Sequence, residues 1–171
     1  GMTRLIGSVL IAAGSAMLGL LVVNGLDQRV GDLAGLAAGL EQMVRELDYR
    51  LAPLPELLTA AADAAGGRAG VFFHCAAESA MRLDGRCFRD CWDGALDGAG
   101  LRLEPQDRAV LAVLGGVLGR YDGGTQSAAL REAAERLDCL RAEAAARRKQ
   151  SGRVYGALSL TAGAFLLILL I

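Results

Sequence analysis

Lysine occurs once in these 171 residues, at Lys149, and histidine once, at His74. The lysine follows Arg147-Arg148 and precedes Gln150, so no glycine-rich turn leading into Lys-Ser or Lys-Thr can be written. That excludes a phosphate-cradling P-loop, and any nucleotide hydrolysis must come from another protein. A single imidazole leaves Ser79, Ser127 and Ser151 with no base that the sequence places beside them, which removes the case for a serine nucleophile. A net charge of −1 supplies no concentrated basic face, so nucleic acid is not an expected partner. No segment alternates apolar and polar residues at period two, which argues against a half-buried strand. The chain therefore reads as a non-enzymatic, all-α protein with no cofactor and no metal.

Charge is also missing locally, and there the absence is most informative. Leu5 to Leu26 runs 22 residues without a charged side chain, and Val154 to Ile171 runs 18 more. At about 1.5 Å per helical residue, each is long enough to cross a hydrocarbon core of roughly 30 Å. The expected organisation is an N-terminal transmembrane anchor over 1–26, a cytoplasmic helical bundle over 27–153 and a C-terminal transmembrane helix over 154–171. A cleaved leader ending near Ala12–Ala16 fits less well, because the apolar run continues through Met17, Leu18, Leu20 and Leu21. Basic residues resist translocation. Arg141, Arg147, Arg148, Lys149 and Arg153 precede the second span and only Arg4 precedes the first, which places the central domain in the cytoplasm. Arg147, Arg148, Lys149 and Arg153 are then expected at the membrane surface, near lipid headgroups. Small residues four apart, Ala12/Ala16 and Ser15/Gly19, then Ala157/Thr161 and Ser159/Gly163, would let the spans pack closely with each other or with other membrane subunits.

Within the central domain, apolar positions recur at steps of three and four. Val30, Leu33, Leu36, Ala37, Leu40, Met43, Val44, Leu47 and Leu51 form one helix face. Pro53 and Pro55 end that helix and start the next, which carries Leu57, Leu58, Ala61, Ala62 and Ala65 to Gly66-Gly67. A third helix uses Phe72, Cys75, Ala76, Ser79, Ala80 and Leu83, with a stop at Asp84-Gly85. A fourth uses Phe88, Cys91, Trp92, Ala95 and Leu96. Pro105 opens a fifth, with Val110, Leu111, Leu114, Leu118 and Tyr121 as its inner face. The sixth begins near Thr125, carries Leu130, Ala133, Leu137, Leu140 and Ala144, and meets no obvious breaker before Gly152. Short connections make this an antiparallel helical bundle of about six helices. Gly35, Gly39, Gly115, Gly116 and Gly119, inside the expected helices, are attributed to compositional bias.

Two places are candidate partner-binding sites. One is the proline-fixed corner with Leu51, Pro53, Pro55 and Glu56. The other is the polar group Asp107, Arg108, Asp122 and Gln126, expected around one end of helices five and six; these side chains would otherwise serve as helix caps. His74, Cys75, Cys87 and Cys91 match no common structural zinc spacing. Cys87 and Cys91 share an apolar stripe with Phe88, Trp92 and Ala95, so core packing is expected there. A membrane-tethered metal or thiol sensor is the rival reading.

Four segments resemble the stage III sporulation protein AB family: Leu47 to Glu56, Cys91 to Leu96, Leu103 to Leu111 and Leu118 to Gln126. Ala52 stands where the family has threonine, and Tyr121 where it has a small polar residue. The resemblance implies a scaffold in the outer forespore membrane, its domain facing the mother-cell cytoplasm. It also implies likeness to a cytoplasmic domain of the inner-membrane platform protein of type II secretion and type IV pilus systems. The partner it implies is a secretion-type ATPase, stage III sporulation protein AA, together with other membrane subunits of the same complex. A platform of a type II secretion or type IV pilus system is the alternative.

Overall fold

The structure is a computed structural model that describes residues 1–82 and 86–171. The expected contribution of Leu83 to the third helix, and its stop at Asp84-Gly85, lie outside the described residues. Among the described residues six helices follow in order: α1 Met2–Arg50, α2 Leu54–Ala65, α3 Gly67–Arg82, α4 Phe88–Gly98, α5 Pro105–Val117 and α6 Gly123–Leu170. Among the described residues there is no strand. The chain divides into two compact units: Gly1–Gln28 with Glu143–Ile171, and Arg29–Ala142.

In the second unit the apolar periodicity becomes the core. Leu33, Leu36, Leu40, Met43 and Leu47 of α1 are buried, and so are Leu57, Leu58 and Ala61 of α2. Two helix pairs pack antiparallel, α4 with α5 and α1 with α6. Asp97 pairs with Arg108 near one end of α4, while further up α4 Trp92 lies against Leu111 and Gly115 of α5. Asp48 of α1 likewise meets Ser127 and Arg131 of α6, and Glu41 and Val44 face Ala134, Glu135 and Asp138. Trp92 is the central plug. Its ring lies edge-on to Phe72 at 4.8 Å between centroids, and its indole N–H donates to the Leu111 carbonyl at 2.8 Å. That hydrogen bond lets a polar ring edge sit inside the core without a desolvation penalty.

Several expectations change here. The interior glycines are packing positions rather than compositional noise. A Cβ at Gly39 would lie 2.3 Å from the Phe73 ring, at Gly35 2.9 Å from the Ala69 Cβ, and at Gly115 2.8 Å from Trp92. A Cβ at Gly116 would make only an ordinary contact, 3.9 Å from Arg89 Nη1, and Gly119, at φ 76°, belongs to the turn after α5. The cysteines do not fill the core: Cys75, Cys87 and Cys139 are exposed and Cys91 is half-buried. The buried face of α3 takes in Phe73 and Ala77 beside Phe72, Ala76 and Ala80, which carries Cys75 outward, while α4 buries Trp92, Ala95 and Leu96 as expected and leaves Cys91 at the edge of that face. Tyr121 is exposed because α5 ends at Val117, and Leu51 is exposed because α1 ends at Arg50.

In the first unit, the apolar parts of α1 and α6 are long and apolar enough to cross a membrane, and almost none of either stretch is buried. A core helix of a soluble protein would show the opposite. The two helices touch where Tyr155 lies over Gly19, so close that a Cβ there would be 2.7 Å from the ring. The small residues Ala12, Ser15 and Ala16 face Ser159 and Ala162 across the same pair. The two apolar helices therefore associate within one chain.

Candidate functional site

The α1–α2 corner is built by its backbone. After Arg50 the chain turns through Leu51 at φ 48°, a left-handed conformation that a branched side chain seldom adopts. Pro53 caps α2, its carbonyl accepting from the Glu56 and Leu57 N–H groups at 3.0 and 3.1 Å. Pro55 sits in the first turn, where its missing donor goes unnoticed. The result presents Leu51, 79% exposed, beside exposed Pro53 and Glu56, with Pro55 half-buried.

The α5–α6 turn is closed by two side chains. Asp122 caps α6: its carboxylate accepts the Thr125 hydroxyl at 2.7 Å and the Thr125 N–H at 3.1 Å. Those bonds, the hydroxyl first, hold the Asp122 carboxyl below the ordinary carboxylate range. Gln126 clamps the other side, accepting from the Gly119 N–H at 3.3 Å and donating to the Tyr121 carbonyl. This turn lies against the corner. Leu54 reaches to 3.4 Å of the position a Gly119 Cβ would take, and Leu47 approaches Gly123. Ser127 donates to Asp48 at 2.7 Å, and Arg131 pairs with the same carboxylate. Corner and turn thus share one end of the unit, with Tyr49, 87% exposed, and Tyr121 displayed there.

Asp107 and Arg108 do not belong to that end. They open α5, and the 13 residues of that helix put about 20 Å between its ends. Asp107 is fully buried and so is no partner-binding residue. It accepts the Glu104 N–H at 2.9 Å, completing a capping box, and takes a bidentate pair of bonds from Arg29 Nε and Nη2, both 2.9 Å. Glu104 adds a third contact, 3.2 Å from Arg29 Nη1. Arg108 is half-buried and donates to Asp97 at 2.8 Å. One helical turn along α1, Asp32 accepts from Arg68 at 3.1 Å and from the Arg102 N–H at 2.7 Å. The sequence held a sign of this network: Arg29 and Asp32 fall in phase with the apolar stripe Leu33–Leu36–Leu40, where a charge needs a partner.

Arg147, Arg148, Lys149 and Arg153 are exposed on α6, and Arg148 pairs with Asp27 of α1 within the first unit. His74 is exposed, 3.5 Å from Glu78. Among the described residues there is no group of three or more His, Cys, Asp or Glu that could hold a metal ion.

These features define a helical-bundle protein with two helices suited to a membrane and a rigid, exposed corner where a partner could bind. The family model of stage III sporulation protein AB matches residues 4–171, nearly the whole chain, and the chain belongs to that family. Its role is accordingly in sporulation, and its two apolar helices point to association with a membrane. The fold is similar to a solved structure of a stage III sporulation protein AB, at a TM-score of 0.64 and 20% identity over 72% of this chain and 98% of that one. No curated protein matches the chain.

Proposed function

We propose that this protein is a non-enzymatic platform of a secretion-like sporulation channel, docking a cognate secretion-type ATPase and coupling it to the forespore membrane assembly. The observation that carries this reading is the meeting of the proline corner and the clamped turn at one end of the helical unit. Both are rigid before any partner arrives, so binding there loses little conformational entropy. Both are also far along the chain from either apolar stretch. The ATPase in this reading is stage III sporulation protein AA. The outer forespore membrane holds the two spans, with the helical unit on the mother-cell side, in keeping with the basic residues that precede Val154.

The test is co-purification of the full chain in detergent with that ATPase. Replacing exposed Arg120 and Tyr121 together, Arg120→Glu with Tyr121→Asp, should lower recovery at least tenfold. Undiminished recovery removes this end as the docking surface.

A further inference from the structure

Beside the corner, the end of α1, the outer face of α2 and the last turn of α3 enclose an open groove of about 540 Å³. Glu46, Arg50, Pro55, Glu56, Asp63 and Met81 line it. Its charge is one-sided. Arg50 lies 3.4 Å from Glu46 and answers that carboxylate. Glu56 and Asp63 have no ion pair among the described residues. They stand seven apart on α2, hence on one face and about 10 Å apart along the axis. Thr59 between them is no free donor, since its hydroxyl bonds to the Pro55 carbonyl at 2.9 Å. The far wall is apolar: Met81, on α3, is 63% exposed, and Tyr49 and Leu51 flank the groove in sequence.

From this arrangement we infer that the groove receives a helix of a partner protein carrying two arginines or lysines seven residues apart, with an aliphatic residue between them. A helix laid along α2 repeats the same axial rise, so such a pair meets Glu56 and Asp63 together while the aliphatic residue reaches Met81. Methionine adapts its shape to the incoming side chain. Two unanswered carboxylates at the rim speed encounter with a basic helix and repel an acidic one. This rests on the reading that the corner end is where a partner docks, and it specifies the chemistry of that partner's surface.

The full chain in neutral detergent micelles is the material for the test. The probe is a fluorescent helical peptide with arginines seven residues apart and a leucine between, compared with a counterpart bearing glutamates. The arginine peptide should bind at least tenfold more tightly, and less tightly as salt rises. Glu56→Lys with Asp63→Lys should weaken it at least tenfold. The milder pair Glu56→Gln with Asp63→Asn should give a smaller loss, and Glu132→Lys with Glu135→Lys on α6 should leave it within twofold. Equal binding of the two peptides, or indifference to the Glu56/Asp63 changes, overturns the proposal. The same variants in the ATPase co-purification separate the two readings. ATPase recovery that ignores Glu56 and Asp63 sinks the groove and keeps the platform. A groove that captures the arginine peptide while no ATPase is retained sinks the platform and keeps the groove.

Discussion

Arg29 and Asp107 show what a buried charge contributes. Each is almost wholly out of water and each is the other's bidentate partner. Removing Arg29 leaves Asp107 a buried carboxylate without its cation, so Arg29→Met should cost about 3–5 kcal/mol in a chemical denaturation measurement. Arg29→Met with Asp107→Leu should recover most of that. About 1 kcal/mol should stay lost, because the capping box at α5 goes with the aspartate. A double variant as unstable as the single one would show that the pair does more than satisfy itself. Asp122 makes a different kind of contribution. Its carboxyl is held below the ordinary carboxylate range in the folded chain, so the cap it forms is present at neutral pH. The contribution fades as pH falls through the ordinary range to the lowered value. Asp122→Ala should therefore melt earlier than the parent at pH 7, with the gap narrowing as the pH is brought down towards 3.

Helices in this protein are set by where side chains are absent as much as by where they are large. Gly39 lets Phe73 lie directly on α1, and Gly115 does the same for Trp92 on α5. Gly39→Ala forces the Phe73 ring or the helix to move and should destabilise by roughly 1–3 kcal/mol. Gly116→Ala, one residue beyond Gly115, where a Cβ meets nothing nearer than Arg89 Nη1 at 3.9 Å, should be neutral or stabilising by up to about 1 kcal/mol. Thermal melts of the two variants side by side would decide whether the glycines are spacers. The apolar stripes themselves were legible before any coordinates: Leu33 to Leu47 and Leu130 to Leu140 fell where the period put them. The glycines were not, because a glycine that admits a ring and one that merely dilutes a helix look alike until the ring is located. The candidate site was half legible. The prolines at 53 and 55 announced the corner. Asp107 and Asp122 lie at opposite ends of α5, so the expected polar group divides between the two ends of that helix. Glu46, Asp63 and Met81 had no local sign at all, since three helices bring them together.

On the scale of the whole molecule, the two apolar stretches decide behaviour. Both lie in one compact unit, paired where Tyr155 covers Gly19. The protein should stay with the membrane pellet after alkaline carbonate washing and leave it only in detergent. Release by carbonate alone would show that neither helix spans. Replacing Gly19 by leucine should separate the helices and expose Tyr155 to lipid. Slower, broader migration of the purified chain in mild detergent would report that loosening.

The pairing of Gly19 with Tyr155 also has a consequence in time. The halves of this unit are separated by Arg29–Ala142, all of which the ribosome must make before Tyr155 exists. At 5–20 residues per second, the leading helix waits on the order of ten seconds with its glycine notch unfilled. During biosynthesis that notch stays open to insertion factors or to another helix until the tyrosine ring closes it.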